Sequence, residues 1–234
     1  MKIAMWSGPR NLSTAMMYSF GARADCAVTD EPFYAAYLRA TGIDHPMREE
    51  VLADQENDPA KVGQTLAGPN PNGPAHWYQK HMTFHMVDGF PWEWAEDCVH
   101  VHLLRHPARV IASYAAKRGD FTLDDIGFEK QVEIFDRFPG PVIDSFDVRQ
   151  DPETALQRLC ADIGLPWDPA MLSWPAGGRP EDGIWAAHWY GGVHRSTGFA
   201  GPEGPLPEIA AEHQAIYARA MEYYETMRAA QSRT

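Results

Sequence analysis

The chain has 234 residues and a mass of 26.2 kDa, the size of one globular domain, 1–234. Its 44% apolar and 22% charged residues exclude a disordered chain, a collagen-like repeat and a coiled coil. With 20 Lys and Arg against 32 Asp and Glu, the formal net charge is −12. That excludes the basic footprint of non-specific nucleic-acid or anionic-membrane binding, so an anionic ligand has to be held by a local cluster of donors.

The first predicted element is a buried strand, Ile3-Ala4-Met5-Trp6, opening into the Gly/Pro turn at Ser7-Gly8-Pro9-Arg10. Four apolar residues are too few for a signal peptide, and no run approaches a membrane span. Cys26, Cys98 and Cys160 are odd in number with no CxxC, which reads as neither a disulfide framework nor a zinc knuckle. A reducing, cytoplasmic setting is expected. A helix follows over 13–24, with Asn11 or Ser13 as cap. Ala27–Thr29 reads as a strand and Pro32–Arg39 as a helix.

Residues 54–75 are polar and rich in Pro and Gly, and Asp58-Pro59 announces a short helix ending at Gly68. His76–Lys80 reads as a strand, with a short helix from His81. Val99–Leu104 is the clearest central strand, and Pro107 opens a helix running to Arg118. Further on come an amphipathic helix Asp124–Phe138, a strand Val142–Phe146 and a helix Glu153–Ile163. A Gly/Pro-rich loop over 173–207 then holds three of the eight tryptophans, and a helix Pro207–Arg228 closes the chain. Strands alternating with helices predict a three-layer α/β sandwich around a mostly parallel sheet, with ligands bound beyond the carboxyl ends of the strands.

Two strand–helix junctions carry the chemistry. In the first, Ser7, Gly8, Pro9, Arg10, Asn11, Leu12, Ser13 and Thr14 join a strand to a helix N-terminus. Backbone N–H groups and the helix dipole favour an anion there, Gly8 allows close approach, Arg10 offers a charged fork, and Ser13 and Thr14 offer hydroxyls. This is a phosphate or sulfate cradle without the Walker A lysine. The second junction, Leu104-Arg105-His106-Pro107, places Ser113 eight residues beyond Arg105, so both can hold a second anion. The plainer alternatives are an ordinary turn at the first and a salt bridge at the second.

Taken together, these motifs resemble the PAPS-dependent sulfotransferase family (PAPS, 3′-phosphoadenosine 5′-phosphosulfate) in its branch of short, divergent bacterial and plant proteins. Ser-Gly-Pro-Arg-Asn-Leu-Ser-Thr matches that family's loop for the 5′-phosphosulfate, and Leu-Arg-His-Pro with Ser113 matches its 3′-phosphate motif. Residues 142–165 and the run from Trp189-Tyr190 to Ser196-Thr197-Gly198-Phe199 resemble two further segments of the family. The resemblance implies a P-loop-type α/β fold and metal-free, in-line sulfuryl transfer from PAPS to a hydroxyl or amine of a small-molecule acceptor. The product would be 3′-phosphoadenosine 5′-phosphate.

On that reading Arg10 and residues 7–14 hold the leaving group, while Arg105 and Ser113, completed by Arg195 and Ser196, hold the 3′-phosphate. Phe199 or Trp6 is placed to stack on adenine. Glu31, after the second strand, is the first candidate for the base, with His81 the second; Lys80 resembles a family lysine facing the bridging oxygen or the acceptor. The plainer role for Glu31 is to cap the next helix, with Asp30 as partner. His81 and His85 also have the i, i+4 spacing of metal ligands, though no third ligand is evident and no metal is expected; two histidines lining an active-site pocket explain the pair more simply. Trp77, Tyr78, Trp92, Trp94, Trp167, Trp174, Trp185, Trp189 and Tyr190 mostly pack loops onto the sheet, and some line an acceptor pocket. Two rival functions remain: a P-loop-type nucleotide kinase or hydrolase, and a non-catalytic binder of anionic nucleotides. The chain carries no PLP-type or dinucleotide-binding signature. Its oligomeric state is expected to be monomer or homodimer.

Overall fold

The computed structural model describes residues 1–116 and 119–231. Its sheet comprises β1 (Lys2–Ser7), β2 (Cys26–Asp30), β3 (His76–Met82), β4 (Cys98–Leu104) and β5 (Val142–Asp144), all parallel, in the order β2-β3-β1-β4-β5. The helices are α1 (Ser13–Gly21), α2 (Tyr34–Thr41), α3 (Arg48–Asp54), α4 (Pro59–Ala67), α5 (Pro107–Ala115), α6 (Leu123–Ile126), α7 (Phe128–Arg137), α8 (Ser145–Gln150), α9 (Pro152–Asp162), α10 (Ala186–Trp189) and α11 (Gln214–Gln231).

The central strand explains the layering. Ile3 and Met5 of β1 point into a core shared with Met16, Met17 and Phe20 of α1 and Leu156 and Leu159 of α9. Ala4 and Trp6 point to the opposite core, against Val62 and Leu66 of α4 and Ile134 of α7. Both faces are covered, so β1 reads as an unbroken apolar run instead of an alternating one. Beyond β4 and β5 a third cluster joins Val110 and Ile111 of α5 to Ala220, Tyr224 and Met227 of α11. The expected α/β sandwich is present, with helices on both faces of the sheet.

Several expectations are corrected. β3 runs two residues past Lys80, because Trp6 and Ser7 pair with His81 and Met82. His81 therefore lies on a strand, and only a single 3₁₀ turn, Thr83–His85, follows. The amphipathic stretch 124–138 is two helices, broken at Gly127 with φ 69°. A side chain at Gly127 would also lie 2.7 Å from the Thr83 hydroxyl. β5 stops at Asp144, whose carboxylate accepts from the Phe146 N–H at 2.8 Å and so starts α8. The expected helix 107–118 ends at Ala115, and Lys117 and Arg118 lie outside the described residues. The closing helix starts at Gln214, not Pro207. α3 was not foreseen: its N-cap, Met47, is left-handed and offers no capping side chain. Asp58 caps α4 as expected, accepting from the Ala60 N–H. Among the described residues no helix is long and apolar enough to cross a membrane.

Candidate active site

The first junction ends β1 at the carboxyl edge of the sheet. Arg10 (φ 64°) and Leu12 (φ 70°) are both left-handed, with Asn11 between them. Such alternation turns successive N–H groups towards one side. Leu12 is the N-cap of α1 and makes no side-chain cap, so neither Asn11 nor Ser13 caps the helix. Asn11 instead donates to the Leu103 carbonyl at 3.3 Å, tying the loop to β4. The first-turn N–H groups of α1 thus stay without a side-chain partner, which is the donor arrangement an anion needs. Gly8 has a different role from the one expected. A Cβ there would lie 2.6 Å from the Ile126 carbonyl, so the glycine admits the α6–α7 corner, not a ligand.

The two junctions meet. Arg10 Nε donates to Ser113 Oγ at 2.9 Å, and Arg105 Nη1 donates to the Arg10 carbonyl at 2.7 Å. Burial, and then the neighbouring Arg105, push the Arg10 guanidinium below its ordinary value. Both arginines line a cavity of about 340 Å³ that also takes in Pro9, Asn11, Leu12, Ser13 and Thr14. Glu31 and Lys80 line the same cavity. Tyr34, Met82, Phe84 and Trp189 supply apolar and aromatic walls.

Glu31 and Lys80 belong to a buried polar cluster. β2 and β3 pair Asp30 with Lys80, and the two-residue period puts both side chains on the α1 face of the sheet. Lys80 Nζ donates to Asp30 at 2.9 Å, to Glu31 at 2.7 Å and to the Tyr190 hydroxyl. Its three donors are therefore all engaged. The Tyr190 hydroxyl also accepts from Trp185 Nε1 at 3.1 Å and donates to Asp30 at 2.8 Å. Burial works to lower the Lys80 pKa, but Asp30 and Glu31 win and raise it, so the ammonium persists. Burial pushes the Glu31 carboxyl up, against the pull of Lys80. Glu31 stands at φ 39°, held by Gln55 Nε2 donating to its carbonyl at 3.0 Å. It does not cap α2, whose N-cap is Phe33 with no side-chain bond.

Other candidates lie elsewhere. His81 faces away from the cavity, stacked between Trp6 at 4.6 Å and Trp94 at 4.7 Å and bonded to Gln79. Burial drives its pKa down to about 3. Trp6 is fully buried on that same face and donates to His100 Nδ1, so it cannot stack on a ligand in the cavity. Phe199 packs edge-on against Trp174. Ser7 is buried and Arg195 is exposed in a 3₁₀ turn; neither lines the cavity. Ser196 is outside it too, accepting from Trp174 and donating to the Val193 carbonyl. His81 and His85 do not share a helix face, since one is on β3 and the other on the turn after it. Among the described residues no group of three or more His, Cys, Asp or Glu could hold a metal ion.

Sequence reasoning missed two partners of Glu31. Tyr190 was read as part of a closing loop and among the aromatics that pack loops or line a pocket, and it enters the cluster from 110 positions beyond Lys80. His85 lines the cavity with Nε2 4.0 Å from Glu31, stacked flat on Tyr34. Burial holds His85 well below the usual histidine range, hence neutral. The length of β3 was the missing signal, because it decides which of the two histidines reaches the pocket.

A parallel α/β sheet with an uncapped helix N-terminus and two arginines at its carboxyl edge is an arrangement whose donors suit an anionic group. The chain belongs to the Sulfotransferase domain family, which it matches over residues 1–231. Among curated proteins it is 37% identical over 231 residues to "Branched-chain-amino-acid aminotransferase-like protein 1" of Arabidopsis thaliana and 35% identical to the corresponding protein 2. The match covers 97% of this chain but only 41% of each relative, so the chain spans less than half their length. Among solved structures, the sulfotransferase domain of the curacin biosynthetic pathway superposes with a TM-score of 0.54 at 16% identity, covering 94% of this chain and 96% of that one. The sulfotransferase domain of the Synechococcus PCC 7002 olefin synthase gives 0.51 at 18% identity, covering 96% and 94%. At that identity these likenesses concern the fold.

Proposed function

We propose that the protein transfers a sulfuryl group from PAPS to a hydroxyl or amine of a small-molecule acceptor bound in the cavity. The observation that carries this reading is that Arg10, held by Ser113, and Arg105 line the same cavity as the Glu31–Lys80 pair. The orphaned donors fit such a donor molecule: the α1 N-terminus has no cap, and Arg105 Nε is buried without a partner.

Arg10, the N–H groups of residues 12–14 and the hydroxyls of Ser13 and Thr14 bind the 5′-phosphosulfate and offset charge on the departing phosphate. Arg105 and Ser113 bind the 3′-phosphate. Glu31 takes the acceptor's proton as the new oxygen–sulfur or nitrogen–sulfur bond forms and the sulfur–oxygen bond to the phosphate breaks. Burial raises its pKa, the direction that strengthens a carboxylate as a base. Lys80 and Tyr190 position that carboxylate. A lysine held charged between two carboxylates is the opposite of the neutral amine a Schiff base requires. The aminotransferase wording in the relatives' names therefore finds no support at Lys80.

The test is the melting temperature with 3′-phosphoadenosine 5′-phosphate, without metal, against ADP and ATP–Mg²⁺. At 100 times its dissociation constant a ligand adds about 2.7 kcal/mol, roughly 5–10 °C for this size. A shift of that order, absent with ADP and lost in Arg105→Ala, supports the reading. A shift with ATP–Mg²⁺ alone would transfer the protein to the kinases.

A further inference from the structure

Arg105 has a second partner away from the cavity. Its Nη2 donates to Glu203 Oε1, as does Arg149 Nη1 at 2.8 Å, while Arg109 Nε forms an ion pair with Oε2 at 2.8 Å without a hydrogen bond. The three arginines come from separate places: the end of β4, the first turn of α5 and α8. The Glu203 side chain is only 3% exposed. Three guanidiniums around one carboxylate leave a formal charge of 3 − 1 = +2 in a chain of net charge −12.

Glu203 sits in the middle of a strap with little else to hold it. Gly198 pairs with Ser173, and Ile209 packs into the α5–α11 cluster. Among the described residues no backbone–backbone hydrogen bond joins 199–209 to the rest of the chain. Ala200, Gly201, Pro202, Gly204, Pro205 and Leu206 are exposed. Arg149 Nε and Arg109 Nη2 hold the carbonyls of Gly201 and Gly204, on either side of the glutamate. The strap is thus fastened at its centre by the arginines alone.

Arg105 is the hinge of the argument. It lines the cavity, yet its Nη2 is taken by Glu203 while its Nε is buried without a partner. A phosphate monoester carries close to two negative charges and three acceptor oxygens, which matches three arginines better than one carboxylate does. We infer that Arg105, Arg109 and Arg149 form an anion site for a phosphate monoester, that Glu203 fills it as an internal competitor, and that the ligand enters as the 198–209 strap lets go. This deepens the proposed function and rests on it for the identity of the ligand, the 3′-phosphate of the nucleotide. It adds two arginines and a competing carboxylate to that site.

The experiment is calorimetric titration of wild type, Glu203→Gln and Glu203→Gln/Arg149→Met with three probes: 3′-phosphoadenosine 5′-phosphate, adenosine 5′-phosphate and inorganic phosphate. Glu203→Gln should bind the first at least about tenfold more tightly, adenosine 5′-phosphate unchanged, and the added Arg149→Met should cancel the gain. Weaker or equal binding in Glu203→Gln overturns the inference and makes Glu203 a support for Arg105. A gain for inorganic phosphate, with no preference for the 3′-phosphorylated nucleotide in any form, keeps the anion site and removes the PAPS reading instead. Wild type supplies an independent readout. A glutamate-specific protease should cut the 203–204 bond faster when 3′-phosphoadenosine 5′-phosphate is present, with the bond after Glu208 as reference. Unchanged or slower cutting in the presence of bound nucleotide also refutes the displacement.

Discussion

Replacing Lys80 with methionine removes the cation from between Asp30 and Glu31, whose side chains are 1% and 11% exposed. Asp30 keeps Tyr190 and the Gly183 N–H, whereas Glu31 keeps the Tyr190 hydroxyl at 3.4 Å and the neutral His85, 4.0 Å away. Taking one partner from a buried ion pair costs about 3–5 kcal/mol, because the desolvated charge stays behind. For a chain above 200 residues, each kcal/mol is worth about 2–4 °C, so Lys80→Met should melt roughly 6–20 °C lower at neutral pH. The deficit must depend on pH. Glu31 is already raised by burial in the native protein, and loss of Lys80 raises it further. A carboxyl raised above its unfolded value contributes stability below that unfolded value and loses it as pH rises through the folded one. The variant should therefore lag wild type less at pH 5 than at pH 8. Adding Asp30→Asn and Glu31→Gln should recover most of the loss. Calorimetry at the two pH values decides it: a shift under about 2 °C, equal at both, would show that water reaches the cluster and that Lys80 does not hold Glu31.

Glu31→Gln should lower transfer by about 10²–10⁴ with an acceptor found by screening, and leave nucleotide affinity within a factor of about two. His81→Phe should keep its activity; loss in that variant with retained stability would return the base to the other face of the sheet. Where Glu31 is the base, kcat/KM falls as pH drops through its raised pKa, so the acid limb should lie above the ordinary carboxylate range, as a pH profile will show. Stability of the wild type should fall on acidification from pH 6.5. His81 and His102, driven by burial to about 3 and about 4, stay neutral in the folded chain while the unfolded chain takes up protons. Each such site contributes about 1.4 kcal/mol per pH unit well below 6.5, and a flat melting temperature between pH 7 and 5 would contradict it. Gly8→Ala should cost about 1–3 kcal/mol through its clash with the Ile126 carbonyl, measured by urea unfolding.

The sheet and most helices were legible because each is announced locally: the apolar run of β1, the prolines opening α4, α5 and α9, the turn at Gly164. The first strand–turn–helix junction was legible too, because Arg10, Ser13 and Thr14 lie with its Gly/Pro turn within nine residues. What escaped the sequence depends on distance or parity. Two extra residues of β3 decide that His85 lines the cavity while His81 is buried under tryptophan. Tyr190, at the end of the four-residue α10, and Glu203, in the strap, reach partners far away in the chain, and nothing local marks a tyrosine or a glutamate as destined for a lysine or three arginines. Gly8 was read by its company, a presumed ligand, whereas its neighbour is a backbone carbonyl more than 100 positions away.

The order β2-β3-β1-β4-β5 puts the earliest strand at the centre of the sheet. β1 leaves the ribosome long before either of its neighbours: β3 begins at His76 and β4 ends at Leu104. At about 5–20 residues per second, roughly 5–20 s pass before both edges of Ile3-Ala4-Met5-Trp6 can be paired. During that interval an apolar segment exposes two unsatisfied rows of backbone groups, the condition under which chains associate with each other. The sheet cannot close before β4 is made, so the yield during expression should depend more on translation rate and temperature than on the stability of the finished fold.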